Sequence, residues 1–198
     1  MNIKTALISV SNKKNLHKLA PFLISKGVEI ISTGGTLKYL KQHNIPVTNI
    51  SDFTEMPEMM GGRLKTLHPK IHGGILGRRD VDIDVMAEHN ITPIDLVVVN
   101  LYDFESAIST PGCTKSIAIE HIDIGGPAMI RSAAKNHQDV YVLVDPTDYE
   151  DFMHQYNNDE IQLAKLRVKY AQKVFAHTSE YDKLVSEYLY YSMFGIDK

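Results

Sequence analysis

The sequence has 198 residues, 43% hydrophobic and 23% charged, which is enough apolar material for one domain core and too little for several. Lys and Arg total 21 against 24 Asp and Glu, so the net charge of −3 excludes a basic surface for general nucleic-acid binding. The longest apolar runs fall far short of the roughly 20 residues of a membrane span, and the first residues are typical of a strand, not of a cleavable leader. We therefore expect a soluble, cytoplasmic protein that binds neither nucleic acid nor membrane.

The first part of the chain alternates short β-branched runs with amphipathic stretches, which predicts the α/β class with a parallel sheet covered by helices. Residues 5–10 form a compact apolar strand, and the helix that follows it ends at Gly27. Residues 28–32 predict a second strand. After the turn Thr33-Gly34-Gly35, residues 36–43 predict a second helix.

The rest of the chain supplies two more strands and a helical extension. Residues 95–100 and 140–144 predict strands buried on both faces. Residues 50–79 are predicted to be a functional loop, because so long a connection is uncommon in a compact domain. No linker divides residues 1–198, so we expect one domain with a helical extension from about residue 146. Its end is aromatic and is expected to pack on this domain or on a partner subunit: Tyr188, Tyr190, Tyr191 and Phe194.

Two loops that follow predicted parallel strands have groups suited to a phosphate. Ligands bind at the carboxyl edge of such sheets, where loops and helix N-termini converge. The loop residues offer hydroxyl, amide, ammonium and backbone N–H groups: Ser11, Asn12 and Lys13 after the first strand, and Thr33, Gly34, Gly35 and Thr36 after the second. Each pattern alone is equally typical of a helix cap or a simple turn.

A third loop, residues 61–74, concentrates positive charge among glycines, which indicates a close approach of its backbone to a ligand. It contains Arg63, Lys65, Thr66, His68, Lys70 and His72. The two histidines lie four residues apart, but Pro69 disfavours a helix between them and no third ligand is evident. We therefore predict no metal site.

The segment from residue 121 to residue 136 predicts a helix that begins near Pro127 and is capped by Gly125 or Gly126, whose N–H groups could form an oxyanion hole. Asp123 precedes this helix, and Arg131 and Lys135 share one of its faces. The spacing fits equally well with Asp123 as a simple helix cap and the two cations as surface charges. The one cysteine, Cys113, excludes an internal disulfide and is expected to be a packed or surface thiol.

Five separated motifs in this order resemble the inosine monophosphate (IMP) cyclohydrolase domain of the bifunctional purine-biosynthesis enzyme whose other half is an AICAR transformylase. They are ALISVSNKKNL from residue 6, ISTGGT from residue 31, GGRLKTLHPKIHGGIL from residue 61, NLYDF from residue 100 and IDIGGPAMIRSAAKNH from residue 122. The resemblance spans nearly the whole chain. It implies a methylglyoxal-synthase-like fold and closure of the ring of FAICAR, the formamido imidazole carboxamide ribotide, to give IMP and water.

The resemblance also implies roles for individual residues. The substrate phosphate and ribose would be held by Ser11, Asn12, Lys13, Thr33, Gly34, Gly35 and Thr36. The rest of the pocket would be lined by Arg63, Lys65, Thr66, Val99 and Asn100. The reacting atoms would be surrounded by Lys65, Tyr102, Asp123 and Lys135, with N–H groups near Ile124 and Gly125. Asp123 would accept the amide proton, the lysines would stabilise the oxyanion, and no cofactor would be needed.

Further implications concern partners and alternatives. Members of the family dimerise, and their cyclohydrolase portion is followed by a transformylase domain, so we expect a homodimer and allow for such a domain beyond Lys198. Two alternatives stay open: a phosphate-eliminating lyase of the methylglyoxal-synthase type, and a nucleotide-sensing module like the allosteric domain of carbamoyl phosphate synthetase. The lyase accounts for less of the loop at residues 61–76, and a sensor needs no acid or base.

Overall fold

A five-stranded parallel sheet with the order β3-β2-β1-β4-β5 forms the centre of the computed structural model, which describes residues 1–193. The strands are β1 Thr5–Val10, β2 Glu29–Ser32, β3 Thr48–Asn49, β4 Leu96–Asn100 and β5 Tyr141–Leu143. The helices are α1 Leu16–Ser25, α2 Gly34–Gln42, α3 Ile50–Thr54, α4 Pro69–Leu76, α5 Ile83–Glu88, α6 Phe104–Ile108, α7 Lys115–Glu120, α8 Gly125–Lys135, α9 Asp148–Gln155 and α10 Glu160–Met193. The predicted fold class is confirmed.

The hydrophobic core lies on both faces of the sheet. In β4, every residue from Leu96 to Val99 is at most 2% exposed, as expected for a strand covered by helices on each side. The same apolar cluster reaches from Ile3 to Tyr181, so helix α10 contributes to the core that β1 begins. The continuous apolar runs of the sequence are therefore the consequence of burial on both faces.

The direction of strand addition reverses at β1. Strands β2 and β3 are added on one side of β1, whereas β4 and β5 are added on the other. Because all pairs are parallel, the carboxyl ends of the strands share one edge, where the end of β1 lies next to the end of β4. This reversal creates a crevice at the edge where the two predicted anion-binding loops lie.

The segment at residues 50–79 is more ordered than a single functional loop. It contains α3, a short 3-10 turn at Met60–Gly62 and α4. The expectation that Pro69 precludes a helix between the two histidines is wrong. Pro69 is the first residue of α4, where a missing N–H costs nothing, and His68 Nδ1 accepts the Lys70 N–H at 3.1 Å as a cap.

The C-terminal region consists of two helices and packs on the sheet and its covering helices. The 34-residue α10 contacts α8, β5 and α6. Tyr188 packs edge-on against Phe104 with ring centroids 5.4 Å apart, whereas Phe175 is 44% exposed. Phe194 lies outside the described residues. None of the helices described over residues 1–193 is both long and apolar enough to cross a bilayer.

The start of α2 is joined to the end of β1 by the buried hydroxyl of Thr36. This Oγ1 accepts the Val10 N–H at 2.9 Å and donates to the Val10 carbonyl at 3.0 Å. A backbone N–H left without a partner in this buried position would incur the full desolvation cost.

We expect Thr36→Val to lower the free energy of unfolding by about 1–3 kcal/mol, because valine keeps the shape and removes both hydrogen bonds. Thr36→Ser is the matched control: it keeps the hydroxyl and is expected to lose much less. Urea unfolding of the two variants and the parent chain measures the difference. Equal stabilities of the valine and serine variants would contradict this role.

Candidate active site

Two lysine side chains reach the N-terminus of α2 at the carboxyl edge of the sheet. A Cβ atom built on Gly34 would lie 3.8 Å from Lys65 Nζ, and one built on Gly35 would lie 3.8 Å from Lys13 Nζ. Gly34 has φ of +55°, a conformation that favours glycine at this turn. The first N–H groups of α2 carry the positive end of the helix dipole, so the two ammonium groups and the helix together form an anion-binding corner.

The loop after β1 is fixed to the end of β4 by two reciprocal hydrogen bonds. The Asn12 N–H donates to Asn100 Oδ1 at 2.8 Å, and Asn100 Nδ2 donates to the Asn12 carbonyl at 3.0 Å. Asn12 Oδ1 accepts the Lys14 N–H at 2.9 Å, so both amides shape the loop. Ser11 stays exposed at its tip, and Lys13 Nζ lies 3.4 Å and 3.3 Å from the carbonyls of Val10 and Ser11.

Asp123 lies between α7 and α8, and its carboxylate is held by backbone N–H groups. The Gly126 N–H donates to Asp123 Oδ1 at 2.8 Å, and the Tyr102 N–H is a second donor. Burial raises the pKa of the Asp123 carboxyl above its usual value, while these two N–H groups and the Lys65 ammonium act in the opposite direction. A half-buried carboxylate with a raised pKa near a cation is suited to accept and return a proton.

The N-terminus of α8 closely approaches the segment that carries Lys65. A Cβ on Gly125 would lie only 2.6 Å from Thr66 Oγ1, so only glycine fits there. Thr66 is buried at 5% exposure, and Lys65 Nζ is 3.4 Å from Glu58 Oε1. The Lys65 ammonium therefore lies between Glu58 and Asp123, close to two helix N-termini.

Ile124 is the N-cap residue of α8, one position before the predicted glycine caps. Its side chain is 63% exposed, so its contribution to a site comes from the backbone. Over residues 1–193, the Gly126 N–H is occupied by Asp123, and the N–H groups of Ile124 and Gly125 have no acceptor. These two N–H groups are available to a developing negative charge.

Lys135 is not brought to the other predicted catalytic residues within one chain. It is the last residue of α8, and ten residues of helix separate it from Gly125 by about 15 Å. Its neighbours in a surface depression of about 470 Å³ are Leu76, Arg78, Asn136, His137 and Gln138. The length of α8 therefore separates Lys135 from the groups near Gly125 within a single chain, and its catalytic role stays a prediction.

Other predicted residues are also placed differently from the expectation. The Thr36 hydroxyl is committed to the Val10 backbone, and the Val99 side chain is 2% exposed in the core, so neither side chain is free for a ligand. Arg63 is exposed and forms an ion pair with Glu120 of α7. Arg131 does not face Asp123; its guanidinium lies 5.4 Å from the centre of the Phe175 ring on α10.

The remaining predicted residues lie at the carboxyl edge, and one residue was missed. Thr33 is the buried N-cap residue of α2, and Tyr102 follows β4 with its side chain 54% exposed. The missed residue is Tyr181 of α10, whose hydroxyl oxygen accepts the Asp123 N–H at 2.7 Å. A tyrosine in an amphipathic helix has the same sequence pattern as a core residue, so no local signal identified it.

Comparisons with known proteins agree with this architecture. The model of the MGS-like domain matches residues 15–128, and the model of the AICARFT/IMPCHase bienzyme matches residues 133–195. The crystal structure of ForH is similar, with 35% sequence identity, a TM-score of 0.82, and coverage of 94% of this chain and 98% of ForH. The chain belongs to the MGS-like domain family. Together with the bienzyme match, this places it among the purine-biosynthesis proteins and confirms the resemblance stated above at the level of the family.

The electrostatic coupling of Asp123 and Lys65 can be tested directly. We expect the pKa of Asp123, measured by carboxyl ¹³C NMR, to lie above its usual value of 3.8, because burial disfavours the charged form. Lys65→Met is expected to raise it further, because the nearby positive charge is removed. Asp123→Asn identifies the resonance. A pKa that is unchanged or lower in Lys65→Met would contradict the proximity of the two groups.

Proposed function

We propose that this protein is an IMP cyclohydrolase, which closes FAICAR to IMP with loss of water. The observation that supports this most is the half-buried Asp123 carboxylate, held at the N-terminus of α8 within electrostatic reach of the Lys65 ammonium, next to an anion-binding corner. The match of residues 133–195 to the bienzyme model favours the same reaction over the lyase and sensor alternatives.

The proposed binding mode follows the order of groups along the carboxyl edge. The substrate 5′-phosphate would bind at the N-terminus of α2, with Lys13 and the N–H groups of Gly34 and Gly35. Lys65 approaches both Gly34 and Asp123, so it would lie between the phosphate and the reacting groups. A ribotide, with a phosphate at one end and a base at the other, fits this arrangement.

The reaction joins two groups of one molecule, so its main requirements are correct orientation and stabilisation of charge. The carboxamide nitrogen attacks the formyl carbon, and Asp123 accepts the proton that this nitrogen loses. The formyl oxygen becomes an oxyanion, which the Lys65 ammonium and the N–H groups of Ile124 and Gly125 would stabilise. Asp123 then protonates that oxygen to give a carbinol. The hydroxyl group of this carbinol leaves as water when the former formamido nitrogen loses its proton and the ring double bond forms.

Lys135 takes no part in this scheme as long as the site consists of one chain. A role for Lys135 in the reaction would require another copy of the chain to supply it, because Lys135 lies at the C-terminal end of α8, about 15 Å along the helix from Gly125. Tyr102 contributes its backbone N–H to Asp123, and its exposed ring lies at the border of the site.

The activity is tested by adding FAICAR to the purified chain and following purine formation by ultraviolet absorbance. We expect turnover, and we expect Asp123→Asn and Lys65→Met each to lower kcat by about 100-fold or more, because each removes a group that acts in the transition state. Lys70→Met is the matched control, since Lys70 belongs to the same segment but pairs with Glu55 at the surface.

Dihydroxyacetone phosphate distinguishes the alternatives in the same preparation. We expect no release of inorganic phosphate from it. Phosphate release without purine formation would support the lyase. Tight binding of IMP with turnover of neither compound would support the sensor.

The pH dependence of kcat/KM provides a further check. Because Asp123 must be ionised to accept a proton, the rate is expected to rise with pH through the pKa of Asp123, which burial places above 3.8. This acid limb should be absent from the residual activity of Asp123→Asn. An acid limb that persists in the variant would assign the titration to another group.

A further inference from the structure

Helix α10 is attached to the backbone of Asp123 by one side chain. The Tyr181 hydroxyl accepts the Asp123 N–H at 2.7 Å, across 58 positions of sequence. The short linker that carries Asp123, residues 121–124, otherwise has local backbone bonds: His121 N–H to Ala118, and Ile122 N–H to Ile119. Among the described residues, the hydrogen bond from the Asp123 N–H to Tyr181 is the one that joins this linker to an element other than α7, α8 or the loop after β4.

The Tyr181 side chain is itself rigidly held. It is 8% exposed and packs edge-on against Phe104, with ring centroids 6.4 Å apart. Phe104 is 1% exposed and begins α6, directly after the loop that carries Tyr102. The phenol thus connects three parts of the candidate site: the Asp123 linker, the loop after β4 and helix α10.

The carboxylate of Asp123 depends on this backbone position. Its two N–H donors come from different elements, Gly126 of α8 and Tyr102 of the loop after β4, so a displacement of the Asp123 backbone would weaken these hydrogen bonds. A displaced linker would also expose the carboxylate to water, and burial would then raise its pKa by less.

We propose that Tyr181 is a positioning residue for Asp123, and that α10 thereby forms part of the catalytic apparatus. The inference rests on the proposed cyclohydrolase function for its kinetic consequences, but not for its structural ones. It gives the segment matched by the bienzyme model, residues 133–195, a direct connection to the chemistry of the MGS-like part of the chain.

The test compares Tyr181→Phe with Tyr188→Phe. Tyr188 is the matched control, because it lies on the same helix and also packs edge-on against Phe104. With FAICAR as substrate, we expect Tyr181→Phe to lower kcat about tenfold with KM changed less than twofold, since one hydrogen bond that orients the base is lost. The acid limb of its pH profile should shift relative to the parent, because both the hydration of the carboxylate and its N–H donors set the pKa of Asp123. Tyr188→Phe should resemble the parent in each respect.

A second measurement needs no substrate. Amide hydrogen exchange, followed by NMR, should show a protected Asp123 N–H in the parent chain and an exchange at least about tenfold faster in Tyr181→Phe, but not in Tyr188→Phe. Should Tyr181→Phe fail to fold, the parent chain alone decides: an unprotected Asp123 N–H would overturn the proposal.

The two proposals can fail separately. If the parent chain does not cyclise FAICAR, the proposed function fails, and the exchange measurement still supports or overturns the positioning by Tyr181. If the parent chain turns over and Tyr181→Phe keeps its kcat and pH profile, the positioning role is overturned while the cyclohydrolase function stands.

Discussion

Strand β1 pairs in parallel with β2 on one side and with β4 on the other, and the register of the second pair places Val10 opposite Asn100. This pairing brings the ends of β1 and β4 to the same height, where Asn12 and Asn100 exchange two hydrogen bonds. The position of Lys13 in the anion-binding corner depends on that alignment. A shift of either strand by one residue would move every side chain to the other face of the sheet and would separate the two loops.

Two opposing influences act on the charge of the Asp123 carboxyl group, namely its burial and its hydrogen bonds from backbone N–H groups. Asp123 is partly removed from water, which favours its protonated form, yet it accepts two backbone N–H groups and lies near the Lys65 ammonium, which favour the ionised form. The opposition leaves the carboxyl with a raised pKa and without a dedicated ion pair. Lys65 in turn is shared between Asp123 and Glu58, so its charge is not committed to one partner.

Sequence patterns predicted the fold well where burial alone decides the pattern. The apolar run of β4 and the glycine turn before α2 needed no tertiary information. The two-residue strand β3 has too few residues to produce a period, and it received no prediction. Pro69 was misread because the same residue breaks a helix in its interior and begins one at its first position.

The candidate site was predictable in part. The resemblance of five motifs to the cyclohydrolase family implied that Lys65, Thr66 and Asp123 line one pocket. Helical spacing placed Lys135 on one face of α8, about 15 Å along the axis from Gly125, and left open whether its side chain reaches Asp123. Tyr181 lies too far along the chain for any local pattern to associate it with Asp123.

The pairing of α4 with α8 has a consequence for motion. The buried Asn136 amide donates to the carbonyls of Ile75 and Gly77 at 2.8 Å and 3.2 Å, and His72 Nδ1 lies 3.1 Å from Ser132 Oγ. These contacts fasten the two helices to each other, so we expect them to move together. We therefore expect any widening of the crevice that lets a bound molecule depart to come from the loops at the strand ends.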